Sequence, residues 1–194
     1  MYTALRAGAL LVITGAIAGL ILIFASDPVE APSGGEKNMN FTLTSSAFVE
    51  GDAIPARFTC DGENISPPLT IAGVPEGTVS LALIMHDPDV PKKIKPDGNF
   101  DHWVLFNINP ITKEIGANDG QGTLGANGAK KNAYTGPCPP PQYEPSTHRY
   151  FFTLYALDRM LDLKVGTTKE ILLTTIEGHI LAQTKLMGTY KKEK

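Results

Sequence analysis

The 194 residues are 42% apolar and 19% charged, with a formal net charge of −3; that supplies one packed core and argues against wholesale disorder. A mildly acidic chain without Lys/Arg clusters is a poor partner for nucleic acid or an anionic membrane surface, so any anion it binds should be small and held locally. The 19 glycines and 15 prolines predict many turns and long ordered loops, not a helical bundle.

In chain order, the first feature is Ala7–Ala25, which contains no charged residue and approaches the ~20 apolar residues that span a bilayer core. Residues 1–26 are therefore read as a membrane anchor, or as a signal segment if they are cleaved. Arg6 precedes the stretch and Asp27 and Glu30 follow it, which orients the remainder outside the cytoplasm. A retained anchor is favoured, because the stretch exceeds the ~7–15 apolar residues of a cleaved signal and Ile23-Phe24-Ala25 is a poor A-x-A site. Residues 27–39, rich in Pro, Gly and charge, form a linker, and the domain runs over 40–194.

Within that domain Phe41–Ser45 alternates apolar and polar residues, as a half-buried strand does. Ile54 and Phe58, between Gly51 and Asp61-Gly62, predict a second short strand. Val79–Met85 is almost continuously apolar, which places it centrally with both faces covered. Trp103–Ile108 and Tyr150–Leu157 read as further strands. Ile111–Thr147 is a Gly-, Pro-, Asn- and Lys-rich connection far longer than the ~12–15 residues usual in compact domains, which marks it as functional or disordered. Thr167 and Glu170 form a capping box, and Leu172, Ile176 and Ile180 follow at helical spacing, predicting a helix that stops near Gly188. The fold class expected is a mainly β domain, an antiparallel sandwich with helical additions.

Chemistry-bearing residues gather beside these strands. Asp87-Pro88-Asp89-Val90-Pro91 follows the central strand, and parity puts Asp87 on the face of Leu81, Leu83 and Met85 with His86 opposite. Parity likewise puts His102 on the face of Val104, Phe106 and Ile108. His148 and Tyr150 project to one side of their strand, with Arg149 opposite. In Gly136-Pro-Cys-Pro-Pro-Pro141 only Gly136 and Cys138 keep a backbone N–H, and Gly136 allows close approach to a ligand. An address outside the cytoplasm would favour a Cys60–Cys138 disulfide; two separate structural thiols are the alternative.

Together these motifs resemble the phosphatidylethanolamine-binding protein family, in its prokaryotic Raf kinase inhibitor-like branch. The resemblance spans Phe41–Tyr190. It rests on Phe58-Thr-Cys-Asp-Gly-Glu-Asn-Ile-Ser-Pro-Pro-Leu69, on DPDVP, DHW and GPCPPP followed by His148-Arg-Tyr150, and on a late Gly-Thr-Tyr190. It implies a β-sandwich whose pocket holds a phosphate-like or carboxylate anion through Asp87, His102, Gly136, His148 and Tyr150, with Pro88, Asp89, Pro91 and Pro137 shaping the rim. It also implies a binding role without a cofactor, and a protein target such as a peptidase. Gln142–Thr147 departs from the family's usual spacing before His148, and nothing after Tyr190 matches the eukaryotic C-terminal helix.

Histidines and a tyrosine hydroxyl are donors to an oxyanion. A carboxylate at Asp87 could hold His102 or His148 oriented and charged, so affinity is expected to fall above about pH 7. Two other readings compete. Cys138, His148 and Asp87 could compose a thiol hydrolase, although no local catalytic signature accompanies them. A metal site on His86, His102, His148 and Asp87 lacks ligand spacing. Asn40-Phe-Thr42 and Asn64-Ile-Ser66 match the glycosylation pattern, a signal that arises often by chance.

Overall fold

The computed structural model describes residues 40–192. The expected anchor over residues 1–26 and most of the linker lie outside the described residues. Among the described residues no helix is long and apolar enough to cross a membrane.

Among the described residues eight strands and one short α-helix are found: β1 (Thr42–Thr44), β2 (Leu69–Ala72), β3 (Ser80–Asp87), β4 (Phe100–Ile108), β5 (Glu114–Ile115), β6 (Thr123–Leu124), β7 (Thr147–Leu157), α1 (Lys169–Ile176) and β8 (Ile180–Lys191). All pairings are antiparallel. They form a three-stranded sheet β1-β2-β5 and a five-stranded sheet β6-β4-β3-β7-β8. The main core fills the space between them, with Leu43, Leu69, Ile71 and Ile115 from one sheet meeting Leu83, Met85, Trp103, Phe152 and Leu186 from the other. A second core lies on the outer face of the larger sheet, where Ala82, Ile84, Val104 and Phe106 meet Leu172 and Ile176 of α1. β3 is thus the central strand with both faces buried, which is why its sequence reads apolar at consecutive positions.

Several sequence expectations need correction. Ile54 and Phe58 do not lie on a strand: Ala53 makes a single bridge to Thr189, and Ala56–Phe58 is a 3-10 turn. Pro55 has no N–H to extend a ladder, and its carbonyl instead accepts the Phe58 N–H. The long connection contains β5 and β6 and is ordered by side chains. Buried Asn127 donates to Ala133 O and Thr135 Oγ1 and accepts from the Ala129 and Lys131 amides.

The C-terminal helix is shorter than expected. It spans Lys169–Ile176 and buries Leu172 and Ile176 as the spacing predicts, but Ile180 opens β8. Gly178, at φ +79°, breaks the helix. The expected capping box does not form. Thr168 is the N-cap and has no side-chain cap bond, while the Thr167 hydroxyl donates to Lys164 O. Gly188 ends no helix. It lies in β8 where a Cβ would come within 2.6 Å of Ile54 and 2.8 Å of Phe48, so its role is close packing.

Two bulges in β4 decide which way its side chains face. The pairing advances from Met85↔Trp103 to His86↔Asp101, and from Leu83↔Leu105 to Leu81↔Ile108, so β4 holds one extra residue at each step. The second bulge includes Asn107, at φ +54°, whose amide exchanges two hydrogen bonds with the Leu161 backbone. An extra residue reverses simple alternation. His102 therefore does not share the face of Val104 and Phe106. It turns instead to the inner side with Trp103, and Ile108 rejoins the main core.

Candidate functional site

The inner face of the larger sheet ends, beyond Met85, Trp103 and Phe152, in polar residues. Asp87 closes β3, the first bulge aims His102 from β4, and β7 supplies His148 and Tyr150 two positions apart. Asp87, His102 and His148 border a cavity of about 320 Å³ lined also by Thr135, Gly136 and Cys138, with Val90, Ile94, Phe100, Pro139 and Pro140 as apolar walls. Tyr150 is not among the lining side chains. It packs edge-on to His102, with ring centroids 5.2 Å apart, and lies parallel to His148 at 6.5 Å.

Each polar group is anchored from behind. Asp87 is 3% exposed and His148 1%, and His148 donates its Nδ1–H to Asp87 Oδ2 at 2.7 Å. The other Asp87 oxygen accepts the Asp89 amide at 2.8 Å, an Asx turn of the kind Asp-Pro favours. His102 donates its Nδ1–H to the Thr135 carbonyl at 2.6 Å, and the Thr135 amide returns a bond to His102 O. Asp87 is thus the partner of His148, not of His102.

Burial lowers the His102 pKa to about 4, against weaker raising effects from the Thr135 bond, Asp87 and Asp101; the ring is neutral at physiological pH. Of the two alternatives expected for Asp87, holding His102 charged is therefore corrected, and pairing with His148 is the one observed. Burial, reinforced by Asp87, pushes the Tyr150 hydroxyl pKa far up, so it remains an O–H donor. His102 Nε2, His148 Nε2 and Tyr150 Oη are buried with no hydrogen-bond partner. Such orphans are uncommon in folded proteins; two belong to residues that line the cavity, and the third to Tyr150, which packs against both of their rings.

Gly136 contributes differently from expectation. Its N–H is already donated to Asn64 Oδ1 at 2.7 Å, and a Cβ there would lie 2.5 Å from Phe58 O. The residue is glycine because a neighbouring loop crosses it. Cys138 is bonded to Cys60, with Cα atoms 5.4 Å apart. Asp87, His148 and Cys138 all line the cavity, but the Cys138 sulfur is bonded and offers no free thiol in this state.

Pro88, Asp89, Pro91 and Pro137 adjoin the cavity without lining it. Asp89 takes a two-pronged ion pair from Arg149 (2.7 and 2.8 Å) together with its amide (2.9 Å), tying the DPDVP loop to β7. The Pro91 carbonyl turns the chain so that Val90 and Ile94 reach the wall, and Pro137 O accepts the Cys60 amide. His86 is on the opposite sheet face, stacked on Phe151 at 5.6 Å, so the four proposed metal ligands are not brought together.

Sequence reasoning missed Thr135, Asn64, Asn127, Phe100 and Ile94. The available signals were the Asn127-Gly128 turn dipeptide and the place of Asn64 within the Phe58–Leu69 motif, whose side chain accepts the Gly136 amide; Thr135, Phe100 and Ile94 act through backbone atoms or apolar surface and leave no motif.

Comparison with known proteins accords with this geometry. A family model described as phosphatidylethanolamine-binding protein matches residues 44–191. A UPF0098 protein of Chlamydia muridarum is 45% identical over 153 residues, covering 78% of this chain and 99% of the relative. One from Methanothermobacter thermautotrophicus is 46% identical over 158 residues, covering 77% and 98%. Among solved structures, a putative phosphatidylethanolamine-binding protein homolog, CT736 of Chlamydia trachomatis, is similar at a TM-score of 0.75 and 42% identity, covering 79% of this chain and 98% of that one. E. coli YbcL, described as a new member of the mammalian PEBP family, is similar at 0.70 and 25%, covering 79% and 99%. The strands that carry Asp87, His102, His148 and Tyr150 all fall inside the matched region, and the chain belongs to the phosphatidylethanolamine-binding protein family, in its prokaryotic branch.

Proposed function

We propose that this chain is a binding protein for a small ligand carrying an oxyacid group, such as a phosphate or carboxylate, and that the site performs no covalent turnover. The observation that supports this reading is the pair of orphaned buried atoms His102 Nε2 and His148 Nε2 on residues lining one cavity, with the orphaned Tyr150 Oη on the ring packed against both. Leaving a buried polar group unpaired costs about 1–3 kcal/mol, and a ligand with several oxygens would relieve more than one of them. The walls formed by Val90, Ile94, Phe100, Pro139 and Pro140 suit the apolar remainder of such a ligand.

The domain is proposed to work outside the cytoplasm. The apolar stretch Ala7–Ala25 and the Cys60–Cys138 disulfide both support that address.

Titration with methyl phosphate, followed through the imidazole ¹⁵N resonances, tests the binding reading. Both His102 and His148 should shift at Nε2. Ile94→Trp, at a half-exposed wall position, should block the mouth and weaken binding at least tenfold. Imidazole signals that stay put at millimolar methyl phosphate would refute it.

A further inference from the structure

The Cys60–Cys138 disulfide has surroundings that a purely structural cross-link does not require. Cys138 is exposed and Cys60 half-buried, so the bond is reachable from solvent. Lys192, one residue past the end of β8, places its Nζ 3.6 Å from Cys60 Sγ and 3.8 Å from Cys138 Sγ. The same nitrogen is 3.2 Å from Asp61 Oδ1. An ammonium has three N–H donors, and here they meet two sulfurs and a carboxylate. A bonded sulfur is a weak, uncharged acceptor, so the contact contributes little while the disulfide is intact. Cleavage turns one sulfur into a thiolate, and a neighbouring lysine then favours the charged product. Lys192 thus distinguishes the closed bond from the opened one and favours the opened.

Two further groups complete the cluster. Asp61 Oδ1 also approaches Cys60 Sγ, at 3.9 Å, farther than the ammonium does. The other Asp61 oxygen accepts the Tyr190 hydroxyl at 2.6 Å, and Tyr190 and Lys192 hold its carboxyl below the usual carboxylate range. Asp61 is therefore an anion that fixes Lys192 over the bond, and the nearer ammonium offsets its repulsion of a Cys60 thiolate. The backbone keeps the two sulfurs together after cleavage, since the Cys60 amide donates to Pro137 O and the Gly136 amide to Asn64 Oδ1.

We propose that Cys138 is a thiolation site: a small monothiol attacks its sulfur as the thiolate, and Cys60 departs as a thiolate beside the Lys192 ammonium. An S–S bond forms between the monothiol and Cys138 as the Cys60–Cys138 bond breaks, and the electron pair of the broken bond stays on Cys60 Sγ. The proton of the attacking thiol goes to solvent. The product is a mixed disulfide on Cys138. Return of the Cys60 thiolate to Cys138 expels the monothiol and closes the loop. Attack by a second monothiol instead frees Cys138, and the two monothiols leave as one small disulfide, oxidised by two electrons as the protein bond is reduced. Exposure makes Cys138 the sulfur that a nucleophile reaches, and the shorter contact with Lys192 makes Cys60 the one that leaves, as access and leaving-group stability direct thiol exchange.

Reduced glutathione on the oxidised full chain tests this, with iodoacetamide added to trap freed thiols before peptide mass spectrometry. Glutathione should be found on Cys138 and the alkyl group on Cys60; the reverse placement overturns the assignment. The rate should rise in proportion to glutathione concentration and stay constant in urea below the unfolding transition. A rate that saturates with glutathione, or that climbs with urea, is the signature of a bond that opens only through unfolding, and overturns a native exchange site. Lys192→Gln should slow exchange about threefold or more, and Lys192→Arg should restore most of the rate. Lys191→Gln, which removes the same charge from an exposed neighbour, should leave it unchanged. Equal rates for Lys192→Gln and the unmodified chain overturn the part assigned to the ammonium. None of these readouts involves a cavity ligand, so they stand or fall apart from the binding reading above.

Discussion

Reduction of the Cys60–Cys138 bond is the perturbation whose size follows most directly from the structure. The two cysteines are 78 residues apart in sequence. Closing a loop of that size removes chain entropy from the unfolded state worth roughly 4.5 kcal/mol at 25 °C. A domain of this kind has a total stability of about 5–15 kcal/mol, so the bond accounts for roughly 30% of it or more. Native contacts at the junction persist without the bond, since the Cys60 amide also donates to Pro137 O at 3.0 Å; the predicted loss is therefore chiefly of the unfolded-state constraint. Urea unfolding of oxidised and reduced protein measures it, with Trp103 as the reporter. Trp103 is the only tryptophan and is 1% exposed between the sheets. The midpoint should drop, and the extrapolated stability should fall by about 4–5 kcal/mol. A loss below about 2 kcal/mol would refute the loop-entropy reasoning. Because Cys138, Pro139 and Pro140 line the cavity, methyl phosphate affinity should weaken on reduction as well.

Two further outcomes are expected. His102 has a folded pKa near 4 and an unfolded value near 6.5, so between these values the unfolded chain binds more protons. The ligand-free protein should then hold its full His102 contribution above about pH 6.5 and lose on the order of 3 kcal/mol by pH 4. His102→Gln should flatten that part of the stability–pH curve, and an unchanged slope would count against a buried neutral ring. Gly136→Ala places a methyl 2.5 Å from Phe58 O and 2.7 Å from Asn64 Oδ1. Overpacking of this kind costs about 1–3 kcal/mol, so calorimetric Tm should fall by several degrees, whereas an unchanged Tm would show that the Phe58–Asn64 segment yields freely.

Much of the architecture was legible in the residues themselves. Consecutive apolar positions over Val79–Met85 marked a strand buried on both faces, and Leu172 and Ile176 marked a helix face, because local periodicity records how many sides of an element are covered. The motifs around Asp87, His102, Gly136 and His148 named the stretches that meet at the cavity. The register of the sheet was not legible. A bulge shows itself only against a partner strand, and the two in β4 reversed the facing of His102 and Ile108. β8 was hidden for a related reason. Its mixed Thr, Lys and Gln sequence carries a weak alternating signal, and eleven residue pairings with β7 hold it in place.

What the amino-acid order determined alone was therefore the class of fold and the inventory of groups at the site. What tertiary structure decided was the state of those groups. Whether an imidazole presents a lone pair or a proton to a ligand depends on the atom behind it. For His102 that atom is a carbonyl 33 residues away, and for His148 a carboxylate 61 residues away. Hydrogen-bond polarity is a property of pairs in space, and no one-dimensional pattern encodes it.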